Sequence, residues 1–307
     1  MTPRVSVGIP VYNRGATIAR AIDSVLAQTL PEVEAIVSDN ASTDETEGVC
    51  RDRAARDARV RYTRHPRPIG AYENFLYVLG QARADYFMWL PGDDYALPRL
   101  LERTVAVLDA RPDVVCCVPQ VDFLAPDGGR RRALGTFPLT DGFRKNVVRL
   151  LEDPADNTRF YGLYRRAALE RALPRGAYYA FDWVVSFATL RAGTHAEVEE
   201  VLLVREASEP LKYTRMVDEA FAAPLARLFP LLPFSRALMV DVRVPPTPGV
   251  LYALLRLNLI HHVRYCEYRY PCYGRVAYRV GAALEKAGQA LARPLRAAGA
   301  RRGPRAT

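Results

Sequence analysis

The first hundred residues alternate between short runs rich in β-branched residues and longer segments with helical spacing of apolar residues. The run VSVGIPV, from Val5 to Val11, predicts a strand that is buried on both faces. Residues 16–28 then carry isoleucine, valine and leucine at helical spacing, and Pro31 ends that helix. Three more strands, with helices between them, are predicted at residues 33–39, 60–65 and 85–90. This alternation predicts an α/β fold built on a mostly parallel central sheet.

Three of these strands end in residues that can bind a ligand. The first runs into Tyr12 and Asn13, the second ends at Asp39, and the fourth leads into Asp93 and Asp94. In parallel sheets of this kind, ligands bind outside the carboxyl ends of the strands. Two adjacent carboxylates repel each other unless positive charge lies close to them, and a turn needs at most one aspartate. We therefore expect the functional site at this edge of the sheet.

Beyond residue 94 the pattern is less regular. Helices are predicted at residues 98–111, 146–151 and 181–193, and strands at residues 114–119, 159–166 and 195–206. A turn is predicted at residues 125–132, where APDGGRRR contains two adjacent glycines. Ser42 or Thr43 is expected to cap the helix after the second strand, because either side chain can accept a backbone N–H.

The net charge of +9 is concentrated at the end of the chain. The last 57 residues contain 11 Lys or Arg and 2 Asp or Glu, whereas the first 250 residues contain 32 of each kind. Because the first 250 residues have no net charge, the main part of the chain is unlike a protein that binds nucleic acid. No nucleic-acid-binding motif occurs in the sequence. The proline-rich stretch VPPTPGV (residues 244–250) precedes the basic tail. We expect a main domain at residues 1–215 and a helical, basic extension at residues 216–307 with a disordered end.

The cysteines indicate a reducing compartment. Their number is odd, Cys116 and Cys117 are adjacent, and no C-x-x-C occurs, so neither a disulfide framework nor a zinc site is expected. Thr2-Pro3-Arg4 leads directly into the first strand, which is unlike a signal peptide. No run of about 18 residues is both apolar and uncharged, so no membrane-spanning helix is expected. These features predict a cytoplasmic protein.

Four stretches, in this order, resemble the family 2 glycosyltransferases of the GT-A fold: SVGIPVYNRGATIARAIDSVLAQT, EAIVSDNASTDET, IGAYENFLYVLGQARADYFMWLPGDDYALP and FDWVVSFATLRAG. The resemblance covers residues 5–206, and the order and spacing of the stretches are far more specific than one short motif. It implies transfer of a sugar from a nucleotide diphosphate to an acceptor hydroxyl. Processive members of the family carry a Q-x-x-R-W motif, which this chain lacks, so transfer of a single sugar is implied.

The resemblance also implies which residues bind the nucleotide sugar, namely Pro10, Tyr12, Asn13, Asp39, Asn74 and Asp93. Tyr12 is expected to stack on the base, or else is an ordinary turn aromatic. Asp39 is expected to accept a ring N–H of a base such as uracil, to cap the next helix, or to do both. Asn74 either contributes to this site or only stabilises its own helix.

The stretch LPGDD (residues 90–94) stands where the family carries its D-x-D element. The resemblance implies that Asp94, together with Asp93, holds Mg²⁺ or Mn²⁺, and that Asp93 also faces the ribose. Hard cations take oxygen ligands, and such an ion offsets the charge on the departing diphosphate. Pro91 occupies a place where family members often carry another acid, which leaves the exact ligand set open. A plain Asp-Asp turn before the next helix is the alternative.

Asp182 matches the family's catalytic base, an acid at the start of a helix on the acceptor side. An inverting transfer needs one base to take the proton of the acceptor hydroxyl. The alternative is that Asp182 only caps its helix. The aromatic residues of RFYGLYRR and AYYAFDW either face a bound sugar or fill the core.

Two other classes of function compete with a glycosyltransferase. A nucleotidyltransferase on a similar sheet would carry a glycine-rich phosphate loop after the first strand, where this chain has PVYNRG. A non-catalytic sugar-nucleotide-binding or scaffold protein is compatible with Pro91. The presence of Asp93, Asp94 and Asp182 argues against that second alternative.

The basic tail has two interpretations. Its first helix is predicted to share one apolar face among Leu251, Leu254, Leu255, Leu259 and Val263, and tyrosines and arginines alternate further on. Such a segment can lie on an anionic membrane, here the inner face, which suits a lipid-linked acceptor. It can equally pack on the transferase domain or form a homodimer. The acceptor class stays open between a carbohydrate, a lipid-linked saccharide and a small molecule.

Overall fold

The computed structural model describes residues 2–152, 154, 156–174, 176, 179–207 and 229–269, with backbone alone for 267–269. The chain divides into two compact units: Met1–Ala207 with Arg236–Pro245, and Ser208–Ser235 with Pro246–Thr307. The domain boundary predicted at residues 215/216 lies outside the described residues, as does the end of the basic tail. No helix within the described ranges is long and apolar enough to cross a membrane.

The first unit opens with the predicted alternation of strands and helices. Its elements are β1 (Val5–Val11), α1 (Ile18–Leu26), β2 (Val33–Asp39), α2 (Thr46–Arg56), β3 (Val60–Arg64), α3 (Ala71–Gly80) and β4 (Tyr86–Trp89). Every residue of β1, β2 and β4 is buried, so these strands are covered on both faces, as their continuous apolar runs predict.

The second half of this unit is more irregular. It contains β5 (Tyr95–Ala96), α4 (Leu100–Ala110), β6 (Val114–Leu124), β7 (Arg130–Arg132), α5 (Phe143–Glu152), a 3₁₀ turn (Thr158–Tyr161), β8 (Leu163–Arg165), α6 (Arg166–Arg171), α7 (Phe181–Thr189) and β9 (Thr194–Glu206). β6 runs beyond the predicted end at Pro119, and its pairing with β9 shifts register between Pro119 and Gln120. A shift of this kind accommodates a residue that has no N–H to donate.

Within the described residues, the strands form one sheet in the order β3-β2-β1-β4-β8-β6-β9-β5, with β7 paired to β6. The pairs β3–β2, β2–β1, β1–β4 and β6–β9 are parallel. The short strand β8 pairs antiparallel with both β4 and β6, and so joins the two parallel parts. The prediction of a mostly parallel α/β sheet is confirmed.

The cap expected at Ser42 or Thr43 is wrong, because α2 begins only at Thr46. The Ser42 hydroxyl instead accepts a bond from the Asn13 backbone N–H at 2.9 Å, and the Thr43 N–H donates to Asn13 Oδ1 at 2.9 Å. Asp44 lies ahead of the helix and accepts the Thr46 N–H at 3.0 Å. The residues that the sequence assigns to a cap therefore tie the loop after β2 to the loop after β1.

The strand predicted at residues 159–166 is wrong in its first half. The Arg159 carbonyl accepts the Gly162 N–H at 3.0 Å and the Tyr164 hydroxyl at 2.6 Å, which closes a turn. A side chain at Gly162 would meet the Cys116 sulfur at 2.9 Å, so the turn also lies tight against β6. The strand β8 starts only after this glycine.

An aromatic cluster connects β4 to the start of α7. Trp89 and Phe160 are fully buried and stack with ring centroids 4.4 Å apart at 12°. Phe75 and Phe181 pack against Phe160 at 5.7 and 5.8 Å. Phe160 and Tyr164, two of the aromatics considered for the acceptor side, therefore belong to the core.

The helix α8 (Leu232–Val240) begins in the second unit and ends in the first, and the helix α9 (Pro248–Arg269) belongs to the second unit. One side of α9 is buried through Ala253, Leu254 and Leu257, whereas Leu251, Tyr252 and Leu255 are exposed. The single apolar face predicted for this helix is therefore wrong for Leu254. The helix is apolar on two sides, and one of them contacts solvent.

Candidate active site

The carboxyl ends of β1, β2 and β4 meet at one edge of the sheet. Val11 lies opposite Asp39 in the β1–β2 register, and Gly8 lies opposite Trp89 in the β1–β4 register. The Leu90 N–H continues that ladder by donating to the Gly8 carbonyl at 2.9 Å. The three loops that the sequence marks as ligand-binding thus leave the sheet side by side.

Tyr12 is the exposed aromatic residue of this edge, with 49 % of its surface accessible. Asn13 follows it in a left-handed conformation (φ 51°), and its backbone and side chain are both bonded to the loop after β2. Pro10 is buried inside β1. The loop is therefore fixed while the Tyr12 ring is presented to solvent.

Asp39 is fully buried, and both of its carboxylate oxygens are used. Oδ1 accepts the Ser42 N–H at 2.8 Å, and Oδ2 accepts the Tyr62 hydroxyl at 2.9 Å. Burial raises the pKa of Tyr62, and its bond to Asp39 adds to that shift. Through these two bonds, Asp39 joins the loop after β2 to Tyr62 of β3.

Asn74 is also buried, and it joins α3 to β2. Its Nδ2 donates to the Ser38 carbonyl at 3.0 Å, and its Oδ1 accepts the Ser38 hydroxyl at 2.6 Å. Both ends of the amide are therefore used by a residue one position before Asp39. Asn74 supports the strand that carries Asp39 and is not itself at the exposed edge.

The loop that carries the two aspartates is packed tightly against β1 and α1. A side chain at Gly92 would meet Val11 Cγ2 at 2.9 Å and Ile18 Cδ1 at 3.2 Å, so only glycine fits there. The Thr17 hydroxyl donates to the Gly92 carbonyl at 2.8 Å, and the Asp94 N–H donates to the Pro91 carbonyl at 3.0 Å. Pro91 thus begins a closed turn.

Asp93 lies at the partly exposed side of this turn. Its Oδ2 accepts a bond from Arg14 Nε at 3.1 Å, and its carbonyl accepts one from Arg20 Nη2 at 2.8 Å. The same Arg20 nitrogen contacts Glu206 at 2.9 Å. Two arginines from the β1 loop and from α1 therefore supply positive charge beside the adjacent aspartates.

Asp94 is buried, with 2 % of its surface exposed, and it is bonded to the end of β9. Oδ2 accepts a bond from Arg205 Nε at 2.8 Å, and Oδ1 accepts the Glu206 N–H at 3.0 Å. Burial raises the pKa of the Asp94 carboxyl to about 6, although Arg205 opposes that shift. The antiparallel pairing of β5 with β9 places Asp94 opposite Arg205.

Asp182 lies in the first turn of α7. Ala180, in a left-handed conformation (φ 64°), stands at the cap position, so Asp182 is not the N-cap residue. Asp182 Oδ2 accepts a bond from Asn157 Nδ2 at 2.8 Å. Burial raises the pKa of Asp182, and the bonds from Asn157 and from backbone N–H groups of the helix start oppose that shift.

Tyr161 packs on the arginine that pairs with Asp94. The Arg205 guanidinium lies 3.8 Å from the centroid of the Tyr161 ring. Burial raises the pKa of Tyr161 to about 12; Arg205 opposes that shift, and Asp182, Asp94 and Asp93 add to it.

The sequence did not single out Arg205, Asn157 or Arg14, and it treated Tyr161 only as one of several acceptor-side aromatics. Arg205 stands 111 residues from Asp94, and Asn157 stands 25 residues from Asp182. The one local signal is that Arg205 and Glu206 end the last strand of the sheet, at the edge where ligands bind.

The aspartate pair is the candidate place for a divalent cation. Among the described residues, no group of three or more His, Cys, Asp or Glu could hold a metal ion. Two carboxylates still fit Mg²⁺ or Mn²⁺, because such ions take one or two protein oxygens and complete their coordination with phosphates and water. Any such ion would share Asp94 with Arg205.

Comparison with known proteins identifies the family. Residues 6–173, more than half of the chain, match the glycosyl transferase family 2. The putative glycosyltransferase EpsE of Bacillus subtilis is 34 % identical over 108 residues, which are 35 % of this chain and 39 % of EpsE. The chain therefore spans well under two thirds of that relative.

Solved structures show the same fold at low identity. TarS 1–349 of S. aureus in complex with UDP-GlcNAc has a TM-score of 0.56 and 16 % identity, over 94 % of this chain and 92 % of that one. The mannosyltransferase PcManGT of Pyrobaculum calidifontis, in complex with GDP-Man and Mn²⁺, has a TM-score of 0.55 and 18 % identity, over 95 % and 81 %. With a GT-A sheet whose carboxyl edge carries the expected aspartates, this chain belongs to glycosyltransferase family 2.

Proposed function

We propose that this protein transfers one sugar, with inversion, from a nucleotide-diphosphate sugar to an acceptor hydroxyl. The observation that carries this proposal is that the loops with Tyr12, Asp39 and the Asp93–Asp94 pair leave the sheet side by side, at the carboxyl ends of β1, β2 and β4. A transferase of this kind must hold a diphosphate and deprotonate a hydroxyl within a few ångströms of each other. The aspartate pair suits the first task, and Asp182 suits the second.

The donor would lie along the carboxyl edge of β1, β2 and β4. Tyr12 offers an exposed ring on which a base can stack. Asn13 and the buried Asp39 fix the loops after β1 and β2, and the buried Asn74 supports the strand that carries Asp39. Asp93, partly exposed, is the acid that faces the ribose and the diphosphate in this arrangement.

Mg²⁺ or Mn²⁺, when bound, would offset the negative charge that develops on the leaving diphosphate. Asp93 and Asp94 are the residues that would hold it. Arg14 and Arg20 add positive charge on the same side of the turn, so the phosphates would meet cationic side chains as well.

Asp182 would act as the general base. A base works best when its pKa lies nearer the working pH than that of a free carboxylate, and burial moves the pKa of Asp182 in that direction. The bond from Asn157 fixes the orientation of this carboxylate, which would take the proton of the acceptor hydroxyl. Phe181, packed on Phe160 and Tyr72, keeps the start of α7 in place.

The test is the nearly isosteric change Asp182→Asn. Release of nucleoside diphosphate from UDP- and GDP-sugars with Mn²⁺ should fall by at least about 100-fold, the usual contribution of a general base, while nucleotide affinity stays unchanged. Asp141→Asn, at an exposed aspartate before α5, is the matched control and should be fully active. Normal turnover by Asp182→Asn would show that Asp182 is not the general base. Nucleotide binding without turnover by the native protein toward any acceptor would favour a non-catalytic role.

The second unit suggests where such a transferase would work. Leu251, Tyr252 and Leu255 form an exposed apolar stripe on α9, and the chain beyond residue 250 carries 11 basic and 2 acidic residues. Apolar side chains next to positive charge suit the surface of an anionic membrane. We therefore favour peripheral contact with the cytoplasmic face of a membrane, which suits a lipid-linked acceptor.

Co-sedimentation with vesicles tests this contact. Binding is expected to vesicles that contain phosphatidylglycerol and not to pure phosphatidylcholine, and Leu255→Asp should weaken it. Leu134→Asp, at an exposed apolar residue of the other unit, is the control and should bind normally. If Leu255→Asp instead converts a dimer into a monomer in light scattering, α9 is a dimer interface and the membrane proposal is wrong.

A further inference from the structure

A buried ion pair occupies the oxygen atoms that a metal ion would use. Arg205 Nε lies 2.8 Å from Asp94 Oδ2, and the two side chains are only 14 % and 2 % exposed. The second oxygen of Asp94 is bonded to the Glu206 N–H. The carboxylate is therefore satisfied by the protein before any ligand arrives.

Arg205 is held by aromatic rings as well as by charge. Its guanidinium lies 3.8 Å from the ring centroid of Tyr161 and 5.5 Å from that of Phe123. An arginine has five N–H donors, and the bond to Asp94 uses only Nε. Within the described residues, the two outer nitrogens of Arg205 donate to no protein acceptor. A planar fork with free outer donors is the group that binds phosphate oxygens in pairs.

The Arg205 guanidinium lies beside the carboxylate that would hold the metal ion, so its charge affects metal binding. A cation bound to Asp94 would lie within a few ångströms of the guanidinium charge, and like charges at such a distance repel strongly in a buried site. A diphosphate placed between them would attract both. The charges at this edge are then balanced only when nucleotide and metal are present together.

We propose that Arg205 binds the diphosphate of the donor and makes metal binding at Asp94 dependent on that diphosphate. This inference rests on the proposed function, because it requires a nucleotide-diphosphate ligand. Without nucleotide, Arg205 neutralises Asp94 and keeps free Mn²⁺ weakly bound. With nucleotide, the outer nitrogens of Arg205 contact the phosphate oxygens, and the negative charge of the diphosphate offsets the repulsion between Arg205 and an ion at Asp94.

The experiment measures Mn²⁺ binding without turnover. Free Mn²⁺ is followed by electron paramagnetic resonance, with and without UDP or GDP, in the native protein and in Arg205→Gln. For Arg205→Gln we expect Mn²⁺ alone to bind about tenfold more tightly and the nucleotide about tenfold more weakly, the scale of one charge-assisted hydrogen bond. Arg61→Gln is the matched control, since Arg61 pairs with the buried Glu34 at the opposite edge of the sheet. It should match the native protein in both measurements.

The outcomes separate this inference from the proposed function. If the native protein binds neither UDP nor GDP with Mn²⁺, the proposed function fails. If the native protein binds them and Arg205→Gln does not bind Mn²⁺ alone more tightly, or binds the nucleotide as well as the native protein does, the role of Arg205 is overturned.

Arg205→Lys covers the case in which Arg205→Gln does not fold. Lysine keeps the charge and loses the planar fork. Mn²⁺ alone should then remain weakly bound, while nucleotide affinity falls. Unchanged nucleotide affinity in Arg205→Lys would overturn the proposal.

Discussion

Asn157 Nδ2 donates a hydrogen bond to Asp182 Oδ2 at 2.8 Å, and the other end of the same amide accepts the Ser186 hydroxyl at 2.9 Å. Because an ionised carboxylate can only accept hydrogen bonds, the end of the amide that faces Asp182 is the nitrogen. Asn157 has a left-handed backbone (φ 48°), which aims its side chain from the 3₁₀ turn at the start of α7. The proposed base is thus oriented by a residue of a different element.

Asn157→Gly tests this orientation, since glycine keeps the left-handed backbone without strain and removes only the amide. The bond from Asn157 opposes the rise in the pKa of Asp182 that burial causes, so its loss raises that pKa further. The acid limb of the rate profile should therefore move to higher pH, and kcat should fall about tenfold. Ser186→Ala keeps the donor and should shift the profile less. If the acid limb of Asn157→Gly is unchanged, Asn157 does not influence the pKa of Asp182 and this role is wrong.

Tyr12→Ala should weaken nucleotide binding about tenfold, because a base loses its aromatic support. Tyr12→Phe keeps the ring and should bind like the native protein. Isothermal titration with UDP and GDP in the presence of Mn²⁺ measures both variants. If Tyr12→Ala and the native protein bind the nucleotide with equal affinity, the nucleobase does not stack on Tyr12.

Gly92→Ala should destabilise the fold by about 1–3 kcal/mol, the usual cost of overpacking, because the new methyl group meets Val11 at 2.9 Å. The displaced turn should also weaken Mn²⁺-dependent nucleotide binding. Gly48→Ala is the control: its methyl group meets nothing within 4 Å, and it lies inside α2, where alanine stabilises a helix by up to about 1 kcal/mol. Urea unfolding of the two variants should give opposite signs.

His195 should make the protein sensitive to acid. Burial lowers its pKa well below 6.5, and Arg159, whose Nη1 faces His195 Nδ1 at 3.3 Å, lowers it further. The folded protein then keeps His195 neutral while the unfolded chain takes up a proton below about pH 6.5. The contribution of this residue is complete above that pH and is lost by about 1.4 kcal/mol for each further unit of acidification.

Urea unfolding at pH 7 and pH 5 measures this effect against His195→Asn, which cannot take up the proton. The free energy of unfolding should fall more steeply with acid in the native protein than in the variant. Equal slopes would mean that His195 is protonated in the fold.

The sequence by itself determined the sheet that carries the site. Strand and helix periods are local properties, and short connections between parallel strands bring their carboxyl ends to one edge. This is why Tyr12, Asp39 and Asp94 could be assigned to that edge before the structure was known. Hydrogen bonds within the loops were less predictable: Ser42 and Thr43 have the chemistry of helix caps, yet both are bonded to Asn13.

Only the tertiary structure decided the charges and orientations at the site. The Arg205–Asp94 pair depends on the antiparallel pairing of β5 with β9, and the Asn157–Asp182 bond depends on how the 3₁₀ turn meets α7. Neither contact leaves a periodic signal, because each joins residues that are distant in the chain and unlike in local structure. The burial of Asp39 and Asp94 is set in the same way, by side chains of neighbouring elements that close over the sheet edge.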